Sequence, residues 1–438
     1  MQKITRFFVK LIQHILPDAY LLAVLLTLIV LVAGMVINGK SFFQMAQYWG
    51  TGFPKLFNFA MQMCLLMLCG YVLALTPLMR KIINRVVSIP KTPRQAVAVT
   101  AFFGMVFCYF NWGFGMVVGA ILAKAMGSKL KGIHFPLLVA ASYGGELVRG
   151  PSSSIPLVSA TPGNFMTKLG MPVVPVTETL YSPWNIICTI LLLIALVTYF
   201  YSMKVDPQDI VEYHAAPEPE PEPLNRAKMT FAEKWEHSYI FSVLLALIPI
   251  TYLAVNFSKL GFNLNMNLVI LIFLSLGLLL HKDPMAYLGA VQTAIGATKG
   301  IMIQFPLYAG ISSMMVGSGL VTTLSNWFVA ISTPMTFPSL TFLSAGLVNI
   351  MIPSGGGQWA IQGPIMIKAA QEMGANLPQT IMAFAWGDGW TNQIQPFWAL
   401  PLLSVVGLNA RDIMGYLVVW TIISGIIITG TFTVLSML

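Results

Sequence analysis

The chain has 438 residues, 57% of them hydrophobic and only 9% charged, with a formal charge of +9 and a mean hydropathy of +0.77. Soluble domains carry about 25% charged residues, so a soluble enzyme is excluded, and a nucleic-acid partner is excluded with it because no soluble domain gathers the basic residues. Four cysteines without C-x-x-C spacing and five histidines without an H-E-x-x-H pattern argue against a disulfide scaffold, a resident metal and zinc chemistry.

Lys3, Arg6 and Lys10 precede an apolar stretch with no small-residue cleavage site behind it, which reads as a retained first span rather than a signal peptide. Full spans are predicted over 19–38, 55–79, 183–203, 238–257, 264–281, 301–325 and 412–437. At about 1.5 Å per residue each is long enough to cross roughly 30 Å of hydrocarbon. The regions 93–165 and 338–408 differ: they are apolar but broken by Gly, Pro, Ser and Asn, as in Asn111-Trp-Gly-Phe-Gly115, Gly150-Pro-Ser-Ser-Ser154 and Pro353-Ser-Gly-Gly-Gly357. Irregular backbone at membrane depth has to line protein or a water-filled cavity, because lipid offers it no hydrogen bonds.

The two regions match each other. Gly50 pairs with Gly296, Gly70 with Gly317, Pro93 with Pro338, Gly119 with Gly363, Lys124 with Lys368 and Gly144 with Gly387, at separations that drift only from 243 to 247 residues. A duplication follows, and the unmatched span 238–257 between the copies makes the repeats inverted. The predicted fold is an all-α integral membrane protein of about nine crossings plus two opposed re-entrant hairpins. Residues 1–203 form the first repeat, with a hairpin at 95–131 and an interrupted helix at 134–166. A cytoplasmic linker, 204–237, contains the run Pro217-Glu-Pro-Glu-Pro-Glu-Pro223 and reads as an extended tether. The connecting helix 238–257 leads into the second repeat, 258–438, with a hairpin at 338–372 and an interrupted helix at 377–408. A cytoplasmic N-terminus puts 18 of the 24 basic residues on the inner side, provided that 95–131 enters and returns.

A hairpin tip starts a half-helix at mid-membrane, whose free N–H groups and dipole suit an anion. Ser354, Gly355, Gly356 and Gly357 fit such a tip, with Gln358 and Gln362 on the half-helix behind it; Asn111, Gly113 and Gly115 are the counterpart in the first repeat. Glycines of this kind also serve close helix packing. In the interrupted crossings Ser152, Ser153, Ser154, Thr161 and Asn164 on one side and Asn392, Gln393 and Gln395 on the other are candidate ligands for a coupling cation; the same groups could only re-satisfy broken backbone. Asp388 has no basic residue within a helical turn and is a candidate proton or cation site. Glu146 and Arg149, three apart on a predicted helical face, either neutralise each other or leave Arg149 to hold a carboxylate. Lys124 and Lys368 are expected to reach for the interface.

At these residues the chain resembles a known family. Asn111-Trp-Gly-Phe-Gly-Met-Val-Val-Gly-Ala120, Ala160-Thr-Pro-Gly-Asn164, Pro353-Ser-Gly-Gly-Gly-Gln-Trp359, Ile361-Gln-Gly-Pro364, Gln395-Pro-Phe-Trp-Ala-Leu-Pro401 and Arg411-Asp-Ile-Met-Gly-Tyr416 are similar to the bacterial short-chain fatty acid transporters. The resemblance covers essentially the whole chain. It implies membership of the ion transporter superfamily, an elevator-like mechanism, and import of acetoacetate, butyrate and similar monocarboxylates across the inner membrane. It also implies coupling to Na⁺ or H⁺, no other cofactor, membrane lipid as surroundings, and a homodimer. The Ser-Asn-Thr tip of the superfamily's dicarboxylate symporters is absent, so their sodium-site assignments do not transfer. Cation/proton antiport through Asp388, or transport of another small organic anion on the same fold, is the rival transport reading. Trp112, Trp359, Phe397 and Trp398 are candidates to face the substrate's alkyl tail. An intramembrane aspartyl protease would need a second aspartate at depth and a serine hydrolase a deep histidine, and the sequence provides neither.

Overall fold

In the computed structural model, residues 2–162, 164–168, 170–214, 229–260 and 266–437 are described, and every regular element among them is helical. An amphipathic helix, α1 (Gln2–Ile15), opens the chain and packs on the last helix, with Val9 seated on Gly415. The first span, α2 (Ala19–Asn38), is capped by Asp18, whose carboxylate accepts from Tyr20 N at 2.9 Å, and ends at Gly39 with φ +62°. A Ser41/Gln44 capping box starts α3 (Phe42–Gly52), and one 3₁₀ turn leads on into α4 (Phe57–Ala74). The span expected over 55–79 therefore stops early. Thr76 caps a new helix, α5 (Pro77–Val87), and Pro77, which lacks the N–H that a continuing helix needs, sits at its first position.

Thr92 and Pro93 start α6 (Pro93–Phe110), which meets α7 (Trp112–Lys129) at Asn111, and these two helices pack on each other. The next stretch is short and broken: α8 (Phe135–Tyr143), a non-helical run 144–153, α9 (Ser154–Ser159) and α10 (Phe165–Lys168). Gly145 and Gly150 let this run lie against the backbone of Met105 and Tyr109 on α6, closer than any side chain would permit. A long apolar helix follows, α11 (Pro183–Ser202).

The stretch 204–237 is only partly a tether. Its Pro/Glu run falls in 215–228, outside the described residues. Just before it the chain is fastened to the corner between α7 and α8: Phe135 N donates to Val211 O at 2.8 Å, and Val211 N to His134 Nδ1 at 3.1 Å. Arg6 on α1 pairs with Asp206 at 2.9 Å in the same strap. After the run come α12 (Phe231–Glu236) and α13 (Tyr239–Leu260).

The second half holds α14 (Met266–His281), α15 (Pro284–Ala294), α16 (Lys299–Ser318) and α17 (Leu320–Ala330). A span was expected over 301–325, but Gly319 at φ +84° ends α16, and α17 sets off in a new direction. Next come α18 (Phe337–Asn349), α19 (Gly355–Met373), α20 (Leu377–Thr391), α21 (Pro396–Val406) and α22 (Ala410–Leu435). Here α18 packs on both α19 and α20, and the turn 350–354 joins α18 to α19.

Seven helical stretches among the described residues are long and apolar enough to span a bilayer; α6 is one of them. Leu28, Ile29 and Val32 on α2, Ile190 and Ile194 on α11, and Leu244 and Ile248 on α13 are exposed apolar side chains that call for lipid rather than water. The polar groups are instead drawn inward, where the broken helices meet.

Candidate functional site

Two interruptions are bonded to each other: the run 144–153 and the turn 392–395 between α20 and α21. Tyr143 Oη donates to Asn392 O at 2.7 Å, and Asn392 Nδ2 donates to Glu146 Oε1 at 3.1 Å. Gln393 Nε2 donates to the other oxygen of Glu146 at 3.4 Å. Asn349, at the end of α18, adds 2.7 Å to Asn392 Oδ1 and 3.0 Å to Thr391 Oγ1, while Gln395 Nε2 donates to Ile350 O at 3.2 Å. Side chains thus take over the hydrogen bonds that broken helices forfeit, as a low-dielectric interior demands.

Three charged side chains are buried among the described residues: Glu146, Arg149 and Asp388. Arg149 Nη2 lies 3.7 Å from Glu146 Oε1, so the two do pair. They do not share a helical face, however; Gly144 and Gly145 end α8 before Glu146 is reached, and the pair sits in irregular backbone. Arg149 is held there by donating Nε to Leu147 O at 3.0 Å and Nη2 to Glu146 O at 3.3 Å. Its guanidinium lies on Gly389, where a side chain would collide with it. Asp388, one residue earlier, has Arg149 and Glu146 as its charged neighbours. Asp388 is 6% exposed, and its carboxylate makes no hydrogen bond among the described residues.

The two tips differ. Asn111 caps α7 by accepting from Phe114 N at 3.0 Å, and Ser152 Oγ accepts from Trp112 N at 3.4 Å. Gly113 faces Leu66 of α4 and Gly115 faces Cys108 of α6, so both glycines are spent on close packing. At the second tip Ser354 caps α19, its Oγ accepting from Gly357 N at 3.3 Å. Around Gly356 there is open space, whereas a methyl placed on Gly355 would sit 2.9 Å from Asp388 Oδ2 and 3.1 Å from Ser154 Oγ. Ser154 and Asp388 therefore flank the start of α19. Ser153, next to Ser154 in sequence, is buried, and its N–H closes a turn onto Gly150 O at 2.9 Å.

Other candidates lie elsewhere. Gln358 and Gln362 are fully buried between the arms: Gln358 Nε2 donates to Ala345 O at 2.8 Å and to Gln362 Oε1 at 2.9 Å, and Gln362 Nε2 donates to Ser344 Oγ at 2.8 Å. Thr161 and Asn164 are not brought to the site. Thr161 is exposed and bonds Leu157 O at 2.8 Å, while Asn164 ties its own loop together, accepting from Met166 N at 2.7 Å. Lys124 is turned inward, donating to Tyr71 Oη at 2.9 Å beneath the rings of Tyr71 and Tyr213; Lys368 is exposed as expected and lies 3.9 Å from Glu372. The four cysteines are buried thiols.

An aromatic wall stands beside the breaks. Trp398 meets Trp112 edge-on at 5.1 Å between centroids, and Phe397 stacks on Phe305 at 4.0 Å and meets Tyr308 at 5.0 Å. Trp359 is not part of it and packs on Phe384 at 4.8 Å. Asn349, Phe305 and Tyr308 were not singled out from the sequence. Asn349 had a legible signal, an amide closing an apolar arm; the others read as ordinary membrane aromatics.

The profile of the short-chain fatty acid transporters matches residues 1–435 of this chain. The chain belongs to the short-chain fatty acid transporter family. A protein of Escherichia coli (strain K12), provisionally named a short-chain fatty acid transporter, is 41% identical over 430 residues, covering 97% of this chain and 98% of the relative. Its Haemophilus influenzae namesake is 40% identical over 432 residues, covering 95% and 96%. The crystal structure of the Alcanivorax borkumensis YdaH transporter aligns over 96% of this chain and 98% of its own, with 17% identity and a TM-score of 0.45. Membership of this family makes the chain a multi-pass membrane transporter rather than an enzyme.

Proposed function

We propose that this short-chain fatty acid transporter family member is a secondary active carrier that imports acetoacetate, butyrate and similar monocarboxylates across the bacterial inner membrane, with its N-terminus in the cytoplasm. The observation that carries this reading is the meeting of the open α19 tip with α9 and α20, beside the two helix breaks, at Gly355, Ser154 and Asp388. A carboxylate at the N–H groups of Gly355 and Gly356 would meet the positive end of a 19-residue helix; the Ser354 N–H is already given to Ile352 O at 2.7 Å. The glycines admit it to the backbone, and the alkyl tail would run toward Trp398 and Trp112.

In this reading α6–α7 and α18–α19 are opposed hairpins of two inverted repeats, although α6, at 18 residues, is long enough to cross by itself. The hairpins and broken helices would move the substrate past a static frame of α2–α4 and α14–α16. Transport would be coupled to Na⁺ or H⁺ and the protein would work as a homodimer. Uptake of labelled acetoacetate and butyrate into proteoliposomes, under a Na⁺ gradient in one set and a pH gradient in another, tests the substrate and the coupling together. No uptake under either gradient overturns the substrate class.

A further inference from the structure

The buried charges of the site do not cancel. Glu146 and Arg149 neutralise each other, and both Glu146 oxygens are already served by Asn392 and Gln393. Asp388 is left over. It is 6% exposed, has no hydrogen-bond donor among the described residues, and directs Oδ2 at the start of α19. Of the elements packed on α20, neither α18 nor α9 contributes a charged residue. The charges of α19, Lys368 and Glu372, lie together near its far end, exposed to solvent; those of α22, Arg411 and Asp412, are confined to its first turn. Arg149 and Glu146 are thus the charged groups that face Asp388.

We propose that Asp388 is the cation site of the transporter, taking one proton or one Na⁺ for each substrate anion bound at the neighbouring tip. The inference rests on the substrate site proposed above. A carboxylate at Gly355 and Gly356 would stand beside Asp388 Oδ2, and two carboxylates in contact repel each other. A monovalent cation on Asp388 removes that repulsion, with the exposed Ser154 hydroxyl next to it as a further oxygen. The charge balance also fixes a ratio. One anion and one cation together leave the formal charge of the site unchanged, so a one-to-one complex moves without adding charge to the membrane interior.

The test compares wild-type protein with Asp388→Asn in liposomes, using labelled butyrate and two readouts: accumulation against an imposed Na⁺ or pH gradient, and exchange with unlabelled internal butyrate at no gradient. The expected result is that Asp388→Asn loses accumulation under both gradients while still exchanging at a reduced rate, because an amide imitates the cation-loaded carboxyl. The gradient that drives the wild type identifies the cation. Accumulation by Asp388→Asn equal to wild type overturns the proposal, and so does complete loss of exchange in a variant with wild-type Tm, which would make Asp388 a substrate ligand. If Asp388→Asn does not fold, Asp388→Glu is used; a raised cation concentration at half-maximal uptake is expected, and an unchanged one overturns the proposal. If the wild type carries no butyrate, the substrate reading fails and the cation site is read separately. Thermal unfolding is then measured in Na⁺ against choline, and across pH, and a cation-dependent Tm shift present in wild type and absent from the variant supports the site; the same shift in both overturns it.

Discussion

The guanidinium of Arg149 occupies the space that a side chain on Gly389 would need. A buried arginine is thereby locked between its own loop and a helix remote in sequence, and this fixes where Glu146 and Asp388 stand. Two effects compete on replacing Gly389 with alanine. Removing a glycine from a helix gains about 1 kcal/mol. Displacing Arg149 from a buried pair costs about 3–5 kcal/mol. The second is larger, so Gly389→Ala is expected to lower the Tm in detergent and to abolish uptake; a raised Tm would show that Arg149 swings away freely.

The pair itself is open to a double-mutant cycle. Arg149→Gln leaves Glu146 without its cation, costing about 3–5 kcal/mol in a buried site, whereas Glu146→Gln leaves Arg149 facing Asp388 alone. The double variant keeps the hydrogen-bonding shapes without either charge. It is expected to be more stable than the Arg149→Gln single, measured by denaturant or thermal unfolding; strictly additive losses would mean that the 3.7 Å pair carries no coupling.

Much of this arrangement is written in local chemistry. The stops between α6 and α7, α18 and α19, and α20 and α21 follow from Asn111, Ser354 and Pro396, whose capping or ring geometry acts within one turn. What was not legible depends on contacts hundreds of residues apart. Arg149 reaches Gly389 across the two halves, so Asp388 looked isolated when only its own helix could be read. Lys124 reads as an interface residue from its own segment, and it is turned inward only because Tyr71 and Tyr213 approach it from distant segments. Conversely, Gly113 and Asn111 resemble their second-repeat counterparts in sequence, and only the packing of Leu66 separates a filled tip from an open one.

That asymmetry makes a paired prediction. At Gly356 a valine meets open space, so folding should be little affected apart from the lost helix-start preference, while the approach to the α19 amides is blocked. At Gly113 the same change runs into Leu66 and should cost stability first, since overpacking costs about 1–3 kcal/mol. Ser354→Ala removes a cap worth about 1 kcal/mol and should reduce uptake without loss of the protein from the membrane. Uptake unchanged in both Ser354→Ala and Gly356→Val would remove the tip from the substrate site.

Trp398 offers a measure of chain length. Its ring meets Trp112 and Phe59 edge-on, at 5.1 and 6.2 Å, and it stands next to Phe397 in the wall beside the breaks. If the alkyl tail lies there, Trp398→Phe enlarges the space at its end. Each additional buried methylene is worth about 0.8 kcal/mol, close to a fourfold gain in affinity. The ratio of apparent KM values for butyrate and hexanoate is therefore expected to shift toward the longer acid, while the accumulation ratio reached under a given gradient stays that of wild type. A uniform rise in KM for every chain length would instead place Trp398 in general packing and move the tail to another wall.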